Sequence, residues 1–381
     1  MDFIRTGARH SRSRFGLVLA AGSWFLCFWL YLLCPFSQAD TLRGFCALYN
    51  DFFPFGLMVP LAGECGMTLL KTSLTPFFTE IRLSLATLSP YGALLKPRVI
   101  QLVVFTALCT VPFLDTVDAF SCFMALLCIA LGSGAAGAFN MWYDRDIDAK
   151  MERTALRPIP SGTVSPENAL AFSLSLATFS VVLMGLSLSW YAAGWLAFSI
   201  VFYAGLYTVV LKRSTHQNIV IGGAAGALPP VILWAAMTGN VDSLLPWSLF
   251  LIVFFWTPPH FWALSLYRAE DYARVGIPML PVVKGKPSTV LHILIYSILL
   301  VGISLMPALL GYVSWVYGAI ALLLGGRFLS LAHPLITTNT EQQNKAARRL
   351  FGYSLFYLFA LFAALVLDKV LFSGMIRALI H

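Results

Sequence analysis

Charge is scarce in this chain, and the places that lack it are as informative as those that hold it. Only 11% of the 381 residues are Asp, Glu, Lys or Arg, against about 25% in soluble domains. That deficit excludes an ordinary water-soluble domain. With 59% hydrophobic residues and a mean hydropathy of +0.80, the chain reads as a polytopic membrane protein. Beyond residue 97 no polar stretch is long enough to be a soluble domain, so the formal charge of +8 points to topology and not to nucleic acid. Cysteine pairs at metal or redox spacing are missing too. Cys27, Cys34, Cys46, Cys65, Cys109, Cys122 and Cys128 form no CxxC and lie mostly in apolar runs. They read as small membrane residues, not as disulfides, metal ligands or haem attachment points.

What is present is a series of apolar segments of bilayer length, about 20 residues each. Nine fall at roughly 98–115, 119–141, 168–188, 190–211, 218–238, 244–266, 289–310, 313–331 and 348–368. The expected fold class is therefore all-α, a nine-helix transmembrane bundle. Lys and Arg alternate with the spans. They flank the segment starts and connections at 96–98, 145–157, 212–213, 268–286 and 327–349, and are absent near 116–118, 189, 239–243 and 311–312. Basic loops stay on the cytoplasmic side, so the long polar connections are expected there, which in a bacterium means the inner membrane.

Residues 1–90 are set apart as an N-terminal hydrophobic extension, and 91–371 as the main transmembrane domain. Arg5, Arg9, Arg12 and Arg14 precede an apolar run from Phe15 to about Leu33, and a weaker run spans Phe52 to Leu70. A signal anchor or signal peptide, a helical hairpin, a transit peptide and a misplaced start codon all remain open; two crossings would return the chain to the cytoplasm for Lys96.

The densest charge follows the second span. Asn140, Asp144 and Asp148 recur at i, i+4, i+8, which on a helix places them on one face. Three oxygen side chains in a column suit a hard divalent cation such as Mg²⁺. Arg153 and Arg157 continue the spacing and suit a phosphate that the cation bridges. A second basic connection carries Tyr267, Arg268, Glu270 and Asp271, which suggests a paired site on the same rim. Lys212, Arg213 and Asn218 bracket the fourth-to-fifth connection. His260 lies in Thr257-Pro-Pro-His260-Phe-Trp, where Pro258 and Pro259 are expected to break the helix. Gly222, Gly223 and Gly226 form a small-residue run that points to close helix packing.

Asn140-x-x-x-Asp144-x-x-x-Asp148 followed by Arg153-Thr154-x-x-Arg157-Pro158 resembles the signature of the UbiA superfamily of intramembrane prenyltransferases. Leu95-Lys96-Pro97-Arg98, Lys212-Arg213 through Asn218, Pro-Pro-His260-Phe-Trp and Tyr267-Arg268-x-x-Asp271-Tyr272 resemble its haem-modifying branch, over about residues 90–370. The resemblance implies a UbiA-type bundle that transfers the farnesyl group of farnesyl diphosphate to a vinyl group of haem B, giving haem O. Haem B is then a substrate, and Mg²⁺ the cofactor. The implied metal ligands are Asn140, Asp144, Asp148 and Asp271. The implied diphosphate residues are Arg153, Arg157, Lys212, Arg213, Arg268 and Tyr267. His260 is assigned either to haem contact or to proton chemistry. His260 and Tyr267 stand where other branches tend to have Asp, which weakens an all-Asp second metal site. The lipid bilayer is the medium, and a haem A synthase or oxidase assembly factors are the implied protein partners. Two rivals are weighed: a UbiA-type enzyme using another acceptor such as a quinone precursor, and a transporter, against which the charge clusters at the membrane mouth and not at its midplane.

Overall fold

The computed structural model describes residues 89–337 and 340–380. They belong to a compact unit spanning Phe77–His381; the expectations for residues 1–88 lie outside the described residues. Among the described residues all regular structure is helical. Eight helices are long and apolar enough to cross a membrane, and a shorter apolar helix at Pro97–Phe113 joins them. The chain is an integral, multi-pass membrane protein, and its helices fall where the nine apolar segments lie.

The principal helices are α1 (Pro97–Leu108), α2 (Ala119–Tyr143), α3 (Pro166–Ser187), α4 (Trp190–Val201), α5 (Asn218–Ala227), α6 (Pro229–Thr238), α7 (Leu244–Tyr267), α8 (Gly285–Ser304), α9 (Trp315–Ala332) and α10 (Thr340–Ile380). The connections without Lys or Arg end in oxygen-bearing caps. The side chains of Asp118, Ser189, Ser243 and Ser314 accept from backbone amides at the starts of α2, α4, α7 and α9. Such caps satisfy amides that no helical carbonyl reaches. Asp368 of α10 adds to the last of them, accepting from Ser314 N at 2.7 Å and Tyr317 N at 3.3 Å.

Two local departures from straight α-helix shape the bundle. The fifth span is divided at Leu228, because Pro229 and Pro230 have no amide hydrogen for the preceding turn. The fourth continues past α4 as a π-helix over Phe202–Leu211, a form that concentrates at functional sites. One expectation is overturned: Pro258 and Pro259 do not break the sixth span, since α7 runs through both. The missing amides leave the carbonyls of Phe254 and Phe255 without their usual partners, but packing holds the axis. Trp256, Trp262 and Leu266 are all buried, and α7 packs on α5, α8 and α10.

The core has two main parts. One joins Val103, Cys122, Ile129, Met184, Leu196 and Val231, gathering α1 to α4 and α6. The other joins Leu249, Trp262, Ile293, Phe328, Tyr357 and Phe362, gathering α7 to α10. Along α10 the buried residues Leu350, Ser354, Tyr357, Leu361 and Leu365 recur every three or four positions, a stripe facing this core. The glycine run of α5 serves close packing. A Cβ on Gly222 would lie 2.2 Å from Tyr207 Cδ2 of the π-helix, and one on Gly223 3.0 Å from Thr257 Cγ2 of α7.

Candidate active site

The column expected from the 140–148 spacing is formed. Although α2 ends at Tyr143 and a short helix restarts at Arg145–Asp148, the helical bonding carries through. Asp144 N donates to Asn140 O at 3.0 Å and Asp148 N to Asp144 O at 2.8 Å. Asn140, Asp144 and Asp148 are all buried, with Asp144 fully so. Burying ionised carboxylates is costly unless each is paired.

Each residue of the column has its own cation. Arg157 reaches back nine residues to Asp148 Oδ2 at 2.6 Å. The turn between them is closed by Thr154 Oγ1, which donates to Asp148 O at 3.0 Å. Lys212, at the end of the π-helix, pairs with Asp144 Oδ2. Lys96, just ahead of α1, donates to Asn140 Oδ1 at 2.6 Å. Asn140's amide is oriented by its other contacts: Nδ2 donates to Asp144 Oδ2 at 2.8 Å and to Thr208 Oγ1 at 3.1 Å. Thr208 in turn donates to Tyr203 O at 2.9 Å, five residues back. The π-turn thus fixes which way Asn140 faces.

Lys96 is a residue that spacing did not single out. It is the only non-glycine among the described residues with positive φ, at φ 55° and ψ 62°. Pro97 follows it, and the residue before a proline normally adopts extended backbone. The left-handed conformation costs about 1–2 kcal/mol. Its ammonium is pushed down to about 7, first by burial and then by the charges of Arg157 and Lys212, against the opposing pull of Asp144 and Asp148. The signal in the sequence was Lys-Pro at the head of a span, but its partner lies 44 residues away.

The other expected cations divide. Arg213 is engaged elsewhere: its guanidinium meets both oxygens of Asp146, at 2.9 and 2.7 Å, and lies over the Tyr143 ring at 4.8 Å. Its closest approach to Asp144 is 3.5 Å. These bonds hold the Asp146 carboxyl below its usual range and raise the Arg213 guanidinium. Arg153 is exposed, with no hydrogen bond or ion pair among the described residues, yet it stands within electrostatic reach of Tyr267.

The second cluster adjoins the first. Tyr272, Ile277 and Met279 pack with Ile147, Met151 and Ile219 in one apolar patch. Beside it Arg268 pairs with Asp271 at 3.1 Å, both partly exposed, and Arg348 lies over the Tyr267 ring at 5.2 Å. Among the described residues, however, no three His, Cys, Asp or Glu side chains are grouped tightly enough to hold a metal ion. Asp271 therefore does not join Asp144 and Asp148 in one three-carboxylate set.

His260 sits inside α7, stacked between Trp256 at 4.4 Å and Phe351 at 4.5 Å. Its Nδ1 is 2.6 Å from Ser354 Oγ, and Ser354 gives its own hydrogen to Phe351 O at 2.6 Å. Ser354 must then accept from Nδ1–H, which assigns the lone pair of the neutral ring to Nε2. Ser354 was also missed by sequence reasoning: it is 94 residues away and looks like one more small residue in a span.

The donor set suits a divalent cation. It consists of carboxylate and amide oxygens, and two buried oxygens, Asp144 Oδ1 and Asn218 Oδ1, have no hydrogen-bond donor. Hard cations select such ligands.

Residues 100–365 match the UbiA prenyltransferase family, and the chain belongs to that family. Within it, the chain is 55% identical over 291 residues to protoheme IX farnesyltransferase 2 of Nitrobacter winogradskyi, covering 76% of this chain and 93% of that one. It is 53% identical over 307 residues to protoheme IX farnesyltransferase of Rhodopseudomonas palustris, covering 79% and 96%. The bundle resembles the solved digeranylgeranylglyceryl phosphate synthase, with a TM-score of 0.62, 18% identity, and coverage of 75% of this chain and 99% of that one. It also resembles a UbiA homologue from Archaeoglobus fulgidus bound to DMAPP and Mg²⁺, with a TM-score of 0.55, 14% identity and coverage of 72% and 99%.

Proposed function

We propose that this chain transfers the farnesyl group of farnesyl diphosphate to a vinyl group of haem B, forming haem O. The observation that carries the reading is the buried column Asn140–Asp144–Asp148 with a cation on each residue, in a chain 55% identical to a protoheme IX farnesyltransferase. Asn140, Asp144 and Asp148 would hold Mg²⁺, while Asp271 stays with Arg268 on the adjoining cluster; the Mg²⁺-bound homologue is consistent with this. When bound, the metal supplies charge that stabilises the departing diphosphate.

The protein's own groups do the rest. Lys212 and Arg157 are already placed beside the column, and exposed Arg153 stands on the same rim to neutralise diphosphate oxygens. The allylic C–O bond breaks with its electron pair going to the diphosphate. The farnesyl cation then takes electrons from the vinyl double bond, and the resulting porphyrin-side cation gains water and loses a proton, leaving a hydroxyethyl link. Water must be excluded during the first step. The aromatic lining around His260, Trp256, Phe351 and Tyr267 suits that step, and rings well placed for a carbocation contribute about 1–2 kcal/mol each. His260, with its free Nε2 lone pair, is assigned to the acceptor side. The catalytic rim is assigned to the cytoplasmic face of the inner membrane, by the basic connections.

The test is mass spectrometry of haems extracted after incubating the purified chain with farnesyl diphosphate, haem B and Mg²⁺. Haem O should form, vanish with EDTA and return with added Mg²⁺. Farnesylation of an aromatic acid instead of haem B would overturn the acceptor assignment.

A further inference from the structure

Resting on that functional reading, we propose that Lys96 is a diphosphate-binding residue, held on Asn140 until the substrate arrives. Three observations carry it. The first is aim. Lys96 takes a left-handed backbone ahead of Pro97, and its side chain runs across the surface of α2 at Gly137. A Cβ there would lie 3.4 Å from Lys96 Cδ and 3.6 Å from Leu95 O. One turn earlier a Cβ on Gly134 would come within 3.0 Å of Leu95 Cδ2. Two glycines thus make the bed in which residues 95 and 96 lie.

The second is what Lys96 holds. Its Nζ occupies Asn140 Oδ1 at 2.6 Å, the one oxygen of Asn140 turned away from Asp144 and Thr208. A metal bound through that oxygen must displace the ammonium, which then needs another anion within reach. The third is the charge balance. Lys212 and Arg157 are within electrostatic reach of Lys96, and so are Asp144 and Asp148. With Lys96 protonated, three positive charges meet two negative ones, because Arg213 is matched by Asp146. The excess suits a ligand that brings several negative charges at once. Metal and diphosphate are therefore expected to bind together far better than singly: the metal frees the ammonium, and the diphosphate gives it a new partner.

The experiment uses the full chain in detergent, followed by thermal unfolding with MgCl₂, inorganic pyrophosphate, or both, and by steady-state kinetics. For the wild type, the rise in Tm with both should exceed the sum of the separate rises. Lys96→Met should lose that excess and raise the KM for farnesyl diphosphate by roughly 10- to 100-fold, the range for one charge-assisted hydrogen bond. The KM for haem B should stay unchanged, and Lys96→Arg should recover part of the loss. Lys96→Gln, which keeps a polar donor but removes the charge, should shift the same KM in the same direction by a smaller factor, and it decides the question if Lys96→Met fails to fold. Unchanged KM for farnesyl diphosphate with an unchanged pyrophosphate response, in whichever of these variants folds, overturns the proposal. If the wild type makes no haem O, the functional reading falls, while the thermal response of Lys96→Met to magnesium pyrophosphate still decides the role of Lys96.

Discussion

On the rim at 140–157, Asp144 and Asp148 are buried, and each is held by a cation from outside its own helical turn. On the rim at 267–271, Asp271 is partly exposed and held by Arg268 three residues before it. One apolar patch joins the two, yet they are built for different work. Buried, cross-linked carboxylates surrounded by lysine and arginine suit a metal and a highly charged leaving group. A single half-open carboxylate beside Tyr267, Arg348 and the His260 stack suits a large, flat and mostly apolar acceptor. We propose that the difference between the rims is a division of labour between donor and acceptor.

The sharpest way to break this comparison is to neutralise one acid on each rim. Asp144→Asn should lower haem O formation by about 1000-fold, since it removes a metal ligand and strands Lys212. Asp271→Asn should cost less than about tenfold, as expected of a partly exposed pair. Equal losses in the haem assay would abolish the distinction. Next in size is His260→Phe, which preserves the stack with Trp256 and Phe351 but removes Nε2. It should raise the KM for haem B about tenfold and leave the response to magnesium pyrophosphate intact. A loss of that response would move His260 to the donor side.

The smallest effect belongs to Arg213→Ala. Its pair with Asp146 is substantially exposed, so unfolding should show a loss under about 1 kcal/mol at neutral pH. The folded-state pKa of Asp146 is lowered by Arg213. Its contribution is therefore complete above the unfolded carboxyl value of about 3.9 and fades as pH falls through the folded value. The wild type and the variant should converge in acid and differ by a constant amount between pH 5 and 8. A gap that widened in acid would reverse the sign.

Much of this was legible in the sequence, and the reason is locality. Apolar length gave the spans, the alternation of Lys and Arg matched the connections, and the 140–148 spacing survived the break at Tyr143 because its i to i−4 bonds did. What was illegible depends on distant partners. Lys212 meets Asp144 across 68 residues, Lys96 meets Asn140 across 44 and His260 meets Ser354 across 94. Pro258 and Pro259 looked like a break by local rules, but packing against three neighbouring helices kept α7 whole. The residues implied to bind diphosphate were legible as a set of cations, whereas Arg213's commitment to Asp146 was not.

The π-helix at Phe202–Leu211 has a consequence for how the chain can change in length. Lys212 N donates to Tyr207 O, five residues back, at 2.9 Å, so this turn accommodates one residue more than an α-turn would. Deleting a single residue there would let the segment relax to α-helix with the flanking turns still in register, whereas the same deletion in a continuous α-helix would turn everything beyond it by about 100°. Lys212 would keep its direction towards Asp144, but the bond from Thr208 to Tyr203 O that steers Asn140 belongs to the wide turn and would be lost. The extra residue is therefore spent on aiming one amide, and not on reaching across the bilayer.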